Sequence, residues 1–296
     1  MSKKITVSDI VINLVFIAFV AFCVLPFILV ISVSLTDQNE IVNNGYRFIP
    51  KAFSLEAYQY LFQTNKMIGN AYAVTILTTA VGTAANVLFM AMYAYPLSRS
   101  DFPYRKFFTW FILITMLISG GIVPSYIINT KFLHLKNTIW ALILPSLGGG
   151  FNIIVMRTFF AGSIPGELIE AAQVDGAGET RIFFQIILAL SKPVLATMAL
   201  MNIFGFWNNW TNSLYYITET RLYSLQFMMQ KAILNLQFLQ QAAASGNTSE
   251  LQNAASIPED TVRMAMVIIG AGPVVAVYPF FQKYFTKGLT IGSVKG

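Results

Sequence analysis

Residues Ser163–Arg181 read Ser-Ile-Pro-Gly-Glu-Leu-Ile-Glu-Ala-Ala-Gln-Val-Asp-Gly-Ala-Gly-Glu-Thr-Arg, and they hold four of the 13 acidic residues of the chain. Pro165 suits the first turn of a helix, where a missing N–H costs nothing. At about 100° per residue, Leu168, Ile169 and Ala172 share one face and Glu170 points away from it. Ala171 and Ala172 keep that helix thin, so another surface can come close. Asp175-Gly176 is a turn signal. Beyond it, Ile182, Phe183, Ile186, Ile187 and Leu190 form one stripe that ends before Lys192-Pro193. The pattern predicts a short helix, a glycine turn and an amphipathic helix, which together form a knob for docking a partner.

The chain around this stretch is very apolar. Of 296 residues, 56% are hydrophobic and 11% charged, and the mean hydropathy is +0.62. Soluble domains are roughly 25% charged, so most of this surface cannot face water. Disordered, collagenous, disulfide-stapled and soluble nucleic-acid-binding classes are excluded together. Cys23 is the single cysteine and permits no internal disulfide. A hydrocarbon core of about 30 Å takes roughly 20 helical residues. Six segments meet that length: Ile10–Leu35, Met67–Leu97, Lys106–Ile128, Thr138–Phe160, Pro193–Ile217 and Val262–Phe285. The expected fold is all-α and polytopic, one transmembrane domain over residues 1–296. The first segment follows Lys3 and Lys4 but is too long for a secretory signal, so it reads as a retained helix.

The scarce charge sets the orientation. With the N-terminus inside, eleven of the 19 Lys and Arg fall on the inner side, among them Arg99, Arg105, Lys106, Arg181 and Lys192. The inner segments are also the shorter ones, so their cation density is higher and both termini are expected in the cytoplasm. The knob at about 161–192 is then cytoplasmic, as is a tail at about 286–296. Residues 36–66 and 218–261 form the long outer loops. The second of these loops includes an amphipathic stretch over Leu225–Leu239 and a small polar patch over Ala242–Ser249.

The span centres hold no Asp, Glu, Lys, Arg or His, which argues against a proton- or ion-coupled transporter with a buried ionisable path. A secondary transporter built on carbonyl and hydroxyl sites is the alternative reading, as is a permease for a non-sugar solute. Instead the spans contain backbone breakers. Pro26, Pro96, Pro124, Pro145, Pro273 and Pro279, with Gly120-Gly121 and Gly148-Gly149-Gly150, predict kinks and close packing. The most unusual polar cluster is Trp207-Asn208-Asn209-Trp210-Thr211-Asn212, in the outer half of the fifth span. Amides suit sugar hydroxyls and aromatic rings suit sugar C–H faces. Trp207, Asn208, Asn209, Trp210, Thr211 and Tyr215 are therefore candidates for a translocation path, against a plainer reading as interfacial anchors and interhelical ties.

Glu170-Ala171-Ala172, Gly176 and Ile186-Ile187-Leu188 resemble the EAA signature of binding-protein-dependent ABC transporter permeases. That signature runs E-A-A, three residues, G, nine residues, I-x-L-P. Here Ala189 stands where the family usually has proline. Asn137-Thr138-Ile-Trp140-Ala-Leu-Ile-Leu144-Pro145, Met156-Arg157-Thr-Phe159-Phe160 and the ending Gly288–Gly296 are similar to maltose-type carbohydrate permeases, and more narrowly to the LplC/YtcP-like branch. The resemblance implies a type I ABC importer permease fold with six spans. It implies that Glu170, Ala171, Ala172, Asp175 and Gly176 couple to ATPase subunits, and that Gly292, Ser293 and Lys295 in the tail reach between those subunits. It also implies that the outer loop at 218–261 can probe a binding protein. The partners implied are a second homologous permease, two ATP-binding subunits, an extracellular solute-binding protein and a carbohydrate, in the cytoplasmic membrane of a Gram-positive bacterium, with no nucleic acid. The chain has no Gly-Lys pair and so no Walker A motif. ATP and Mg are then expected on the partner subunits, no cofactor on this chain, and this chain is not itself an enzyme.

Overall fold

A computed structural model describes residues 6–64, 67–244 and 259–292. The chain runs α1 (Val7–Ser34), α2 (Gln38–Asn44), α3 (Glu56–Thr64), α4 (Met67–Ser98) and α5 (Arg105–Leu117). It continues α6 (Ile122–Ile127), a π-turn (Ile128–Phe132), α7 (Trp140–Ile143), a 3-10 turn (Leu144–Ser146), α8 (Gly150–Ser163) and α9 (Gly166–Val174). Then come α10 (Glu179–Arg181), a second π-turn (Ile182–Ile187), α11 (Leu188–Leu190), α12 (Lys192–Trp207), α13 (Thr211–Tyr216), α14 (Leu225–Ala244) and α15 (Glu259–Gly292). Among the described residues there is no strand, and one isolated bridge pairs Thr36 with Phe53.

Among the described residues, three helices are unbroken and apolar enough to cross a membrane: Val7–Ser34, Met67–Ser98 and Asp260–Gln282. Three further segments are bent pairs, which bring the crossings to six if each counts once. These pairs correct the expectation of continuous helices. Over Lys106–Ile128 the chain instead forms Arg105–Leu117 and Ile122–Phe132, which meet at 112°. Gly121 sits in that joint at φ 80°, a conformation that side chains other than glycine adopt at a cost. Over Thr138–Phe160, Trp140–Ser146 and Gly150–Ser163 meet at 59° across the glycine run. Pro193–Ile217 is split at Asn208–Trp210 into α12 and α13. The prolines behave differently. Pro26, Pro96, Pro273 and Pro279 all lie inside helices that continue through them. Glycines stand at the breaks of the third and fourth spans, with Pro145 in the turn just before the second of these, while the fifth span breaks at Asn208–Trp210 without a glycine.

The described residues fall into two compact units. The first comprises the N-terminal residues through Ile68 and Met229–Gly272. In it, the end of α1 is tied to the following loop: Ser32 Oγ donates to the Arg47 carbonyl at 2.8 Å, and Ser34 Oγ lies 2.9 Å from Tyr58 Oη. Tyr46 Oη donates to Asp260 Oδ1 at 3.1 Å. Most of α1 is exposed and apolar on every side, the pattern of a helix whose solvent is lipid or another apolar chain.

The second unit comprises Gly69–Met228 and Pro273 onward. Its main core joins Met90, Ala94 and Leu97 of α4, Ile112 of α5, Met156 and Phe160 of α8, Ile182 and Ile187 of the second π-turn, and Met198 of α12. A smaller cluster gathers Val74, Leu135, Leu142, Tyr216 and Ile217. Between α4 and α12 the packing is close. A Cβ on Gly82 would lie 2.7 Å from the Phe206 ring, so only glycine lets that ring in without a shift. One turn further, Asn86 Nδ2 donates to Asn202 Oδ1 at 2.5 Å. Asn86 Oδ1 accepts from the Gly148 amide at 2.8 Å. One buried amide thus joins both helices to the break before α8.

Candidate functional site

The knob folds much as its sequence predicts. Pro165 precedes α9, and the helix ends in a Schellman arrangement. Gly176 N donates to Gln173 O at 3.0 Å, and Ala177 N donates to Ala172 O at 2.9 Å. Gly176 takes φ 79° to make both bonds. This explains the spacing E-A-A, three residues, G: the glycine is the left-handed residue that closes the helix, and its place is set by the helix length. Ile169, Ala172 and Ala177 pack on the main core. Leu168, expected on that same face, is 41% exposed instead. Glu170, Ala171, Asp175 and Gly176 are all exposed, and so is Val174 at 88%. The helix therefore presents an acid, a thin alanine surface and two uncovered apolar side chains.

The second helix of the knob is not a regular α-helix. It opens as α10, widens into the π-turn Ile182–Ile187 and closes as α11. Ile182, Phe183 and Ile187 are buried, Ile186 is half-buried and Leu190 is exposed. The chain then turns at Ser191, and Glu179–Leu190 meets Lys192–Trp207 at 82°. The bend survives Ala189 because Pro193 lies in the first turn of α12, where proline starts a helix.

A cluster that sequence reasoning missed pins the knob to α4. Glu179 accepts from Tyr95 Oη at 2.8 Å, from Arg99 Nη1 at 3.0 Å and from Gln173 Nε2 at 3.0 Å. Arg99 also meets Asp101 at 2.5 Å. That hydrogen bond is the largest influence raising the Arg99 guanidinium above the usual arginine range, against a smaller opposing effect of burial. The same bond holds the Asp101 carboxyl below the usual carboxylate range. A cavity of about 510 Å³ opens beside the cluster, lined by Met92, Phe102, Phe183 and Phe184 as well as the charged residues. The signal available in the sequence was slight: Arg99 and Asp101 follow the end of the second span, with Arg99 lying 80 residues from Glu179.

The polar cluster of the fifth span divides into two sets. Trp207 is buried, its ring 6.3 Å from that of Tyr72. Asn209 is half-buried and holds the helix break: Nδ2 donates to Ser146 Oγ at 2.9 Å, while Oδ1 accepts from Asn212 N and Thr211 Oγ1 at 3.1 Å each. Asn212 Nδ2 also reaches Ser146 Oγ, at 3.0 Å. Asn208, Trp210, Thr211 and Tyr215 are exposed. The arrangement thus leaves four of the six path candidates accessible. Of the tail candidates, Gly292 ends α15, and Ser293 and Lys295 lie outside the described residues. Most of the polar patch Ala242–Ser249 lies outside them too.

The comparisons with known proteins agree with this geometry. Residues 88–291 match the family described as binding-protein-dependent transport system inner membrane component. The chain is 37% identical over 278 residues to the polygalacturonan/rhamnogalacturonan transport system permease protein YtcP of Bacillus subtilis (strain 168), covering 94% of each. It is 38% identical over 276 residues to protein LplC of the same organism, covering 93% of this chain and 90% of that one. A crystal structure of a bacterial ABC transporter involved in the import of the acidic polysaccharide alginate contains a chain that superposes with TM-score 0.79 at 29% identity, over 96% of this chain and 100% of that one. The chain belongs to the binding-protein-dependent inner-membrane transport components and is a permease subunit of an ABC importer.

Proposed function

We propose that this permease takes up a carbohydrate, an oligosaccharide or modified glycan, across the cytoplasmic membrane of a Gram-positive bacterium. The reading rests on the named solutes of the similar proteins, polygalacturonan and rhamnogalacturonan for one and alginate for another, together with the amide and aromatic side chains exposed around Asn208–Tyr215. An extracellular solute-binding protein delivers the sugar, and a second homologous permease completes the path. Two ATP-binding subunits, carrying ATP and Mg, supply the energy, while this chain binds no cofactor.

The observation that carries the coupling role is α9, a helix fixed to the core by Ile169 and Ala172 while Glu170 faces outward. A helix held on one side and bare on the other can transmit a push. Glu170, Ala171, Asp175 and Gly176 form the surface that each cycle of ATPase closure moves, and Ala172 ties that surface to the core. Asn208, Trp210, Thr211 and Tyr215 contact the passing sugar, with Trp207 and Asn209 shaping the wall behind them. Gly292, Ser293 and Lys295 are the tail residues assigned contact with the ATPase subunits.

The test is uptake in liposomes holding this chain, its partner permease and the ATPase subunits, with binding protein outside. Uptake that requires internal ATP is expected. Uptake sustained by an ion gradient without ATPase subunits overturns the reading.

A further inference from the structure

We infer that Glu179, gripped by Arg99, Tyr95 and Gln173, is the joint that passes movement of α9 on to α4. The inference rests on the coupling role proposed above and names a positioning residue within it. Glu170 faces outward and its side chain makes no hydrogen bond to the described residues, so it can receive a push but not relay one. Glu179 does the reverse. Its carboxylate gathers three donors from different elements: Gln173 from the last turn of α9, Tyr95 from the last turn of α4, and Arg99 just beyond that turn.

The geometry suits a joint better than a rigid weld. Arg99 is anchored by Asp101 at 2.5 Å and has only 14% of its side chain exposed, while Glu179 is 59% exposed. The guanidinium is therefore fixed to the α4 side, and the carboxylate rides with the knob. Tyr95 adds a ring contact to Phe183 at 5.7 Å, so an apolar contact and a charged contact connect the same two elements. The 510 Å³ cavity alongside, lined in part by Phe183 and Phe184, leaves room for the knob to tilt without collision. Beyond the joint, α4 runs unbroken for 32 residues and carries Asn86, which grips both α12 and the amide of Gly148. A pull on Arg99 therefore reaches the break in the fourth span and the body of α12 through one continuous helix.

The test uses the assembled complex in nanodiscs and compares basal ATP hydrolysis with hydrolysis stimulated by the solute-binding protein. Wild-type stimulation establishes that the coupling reading holds; a wild-type complex with no ATPase activity removes that reading and the joint together. Given wild-type stimulation, Glu179→Gln and Arg99→Glu should each keep assembly and basal hydrolysis but lose about tenfold in stimulation, within the usual range for coupling between sites. The swap Arg99→Glu with Glu179→Arg keeps the same net charge and restores an opposite-charge pair across the joint, and should recover part of the stimulation, Asp101 beside position 99 limiting it. A merely structural role would lower assembly and basal hydrolysis in step, with no recovery in the swap. That outcome, or full stimulation in both single variants, overturns the inference.

Discussion

Asn86 and Asn202 stand 116 residues apart in the chain and share a hydrogen bond of 2.5 Å in a buried seam. Neither amide is left open. Asn86 Oδ1 takes the Gly148 amide and Asn202 Nδ2 donates to the Met198 carbonyl at 2.7 Å. Because Asn86 serves two neighbours besides its own helix, the two residues should differ in cost. Asn86→Ala strands both Asn202 Oδ1 and the Gly148 N–H, whereas Asn202→Ala strands only one Asn86 donor. Leaving a buried polar group unmet costs about 1–3 kcal/mol. Unfolding of the purified chain in mixed detergent should show Asn86→Ala losing more stability than Asn202→Ala. Equal losses would show that the Gly148 bond adds nothing.

Gly82 supplies a steric counterpart on the same seam. A methyl group there meets the Phe206 ring at 2.7 Å, and overfilling a packed interior costs about 1–3 kcal/mol. Gly82→Ala should lower the midpoint of thermal unfolding, and Phe206→Leu in the same chain should restore part of the loss. If Gly82→Ala alone leaves the midpoint unchanged, the ring has space that the packing does not indicate.

The Arg99–Asp101 pair predicts a pH dependence with a definite sign. Asp101 has a folded-state pKa below its unfolded value. Its contribution is therefore full above the unfolded carboxylate value of about 3.9 and is lost as pH falls through the lower folded value. The difference in unfolding midpoint between wild type and Asp101→Asn should be constant from pH 8 to pH 5 and shrink only below about pH 4. Exposure of Asp101 keeps the whole effect small. A difference that grows on acidification would contradict the assignment.

Much of this architecture is readable from composition and spacing, for physical reasons that also mark the limit. Hydropathy locates the spans because a lipid-facing helix must be apolar along its length. Pro165, the alanine pair and Gly176 locate the knob because each acts within a few residues of itself: a helix start, a thin face and a left-handed close. Glu179 and Arg99 were not legible as a pair, since nothing local says that a turn after the second span will meet a turn after the fourth. The same holds for Asn86 and Asn202. Pro26, Pro96, Pro273 and Pro279 misled as break signals, whereas Pro145 and the glycines of the third and fourth spans do stand at breaks. A proline such as Pro96 forfeits one bond that neighbouring groups can absorb, while Gly121 at φ 80° redirects the chain itself.

The coupling surface gives a direct functional prediction. Glu170 is exposed on α9, so Glu170→Lys has no folding contact to lose within the described residues. The variant should insert and pair with its partner permease normally while ATP-dependent uptake falls by about tenfold or more, the loss expected when a charge-assisted contact becomes a like-charge clash. Leu168→Ser, at a site 41% exposed, should weaken ATPase binding by a smaller factor. Co-purification of the ATPase subunits measures both. Undiminished uptake in Glu170→Lys would move the docking contact away from this face.

The two kinds of asparagine at the break in the fifth span can be separated in the same way. Asn209 closes that break through Ser146 and Asn212, so Asn209→Ala should destabilise the chain by about 1–3 kcal/mol and reduce transport only as the folded fraction falls. Asn208 is exposed, and among the described residues its side chain bonds only its own helix, donating to the Phe204 carbonyl at 3.0 Å. Asn208→Ala should therefore leave stability within about 0.5 kcal/mol of wild type, as surface changes usually do. If Asn208 touches sugar, that variant should raise the concentration for half-maximal uptake severalfold while the complex stays intact. The opposite pattern, with Asn208→Ala unstable and Asn209→Ala altering uptake alone, would reverse the roles of the two residues and place the sugar against Ser146.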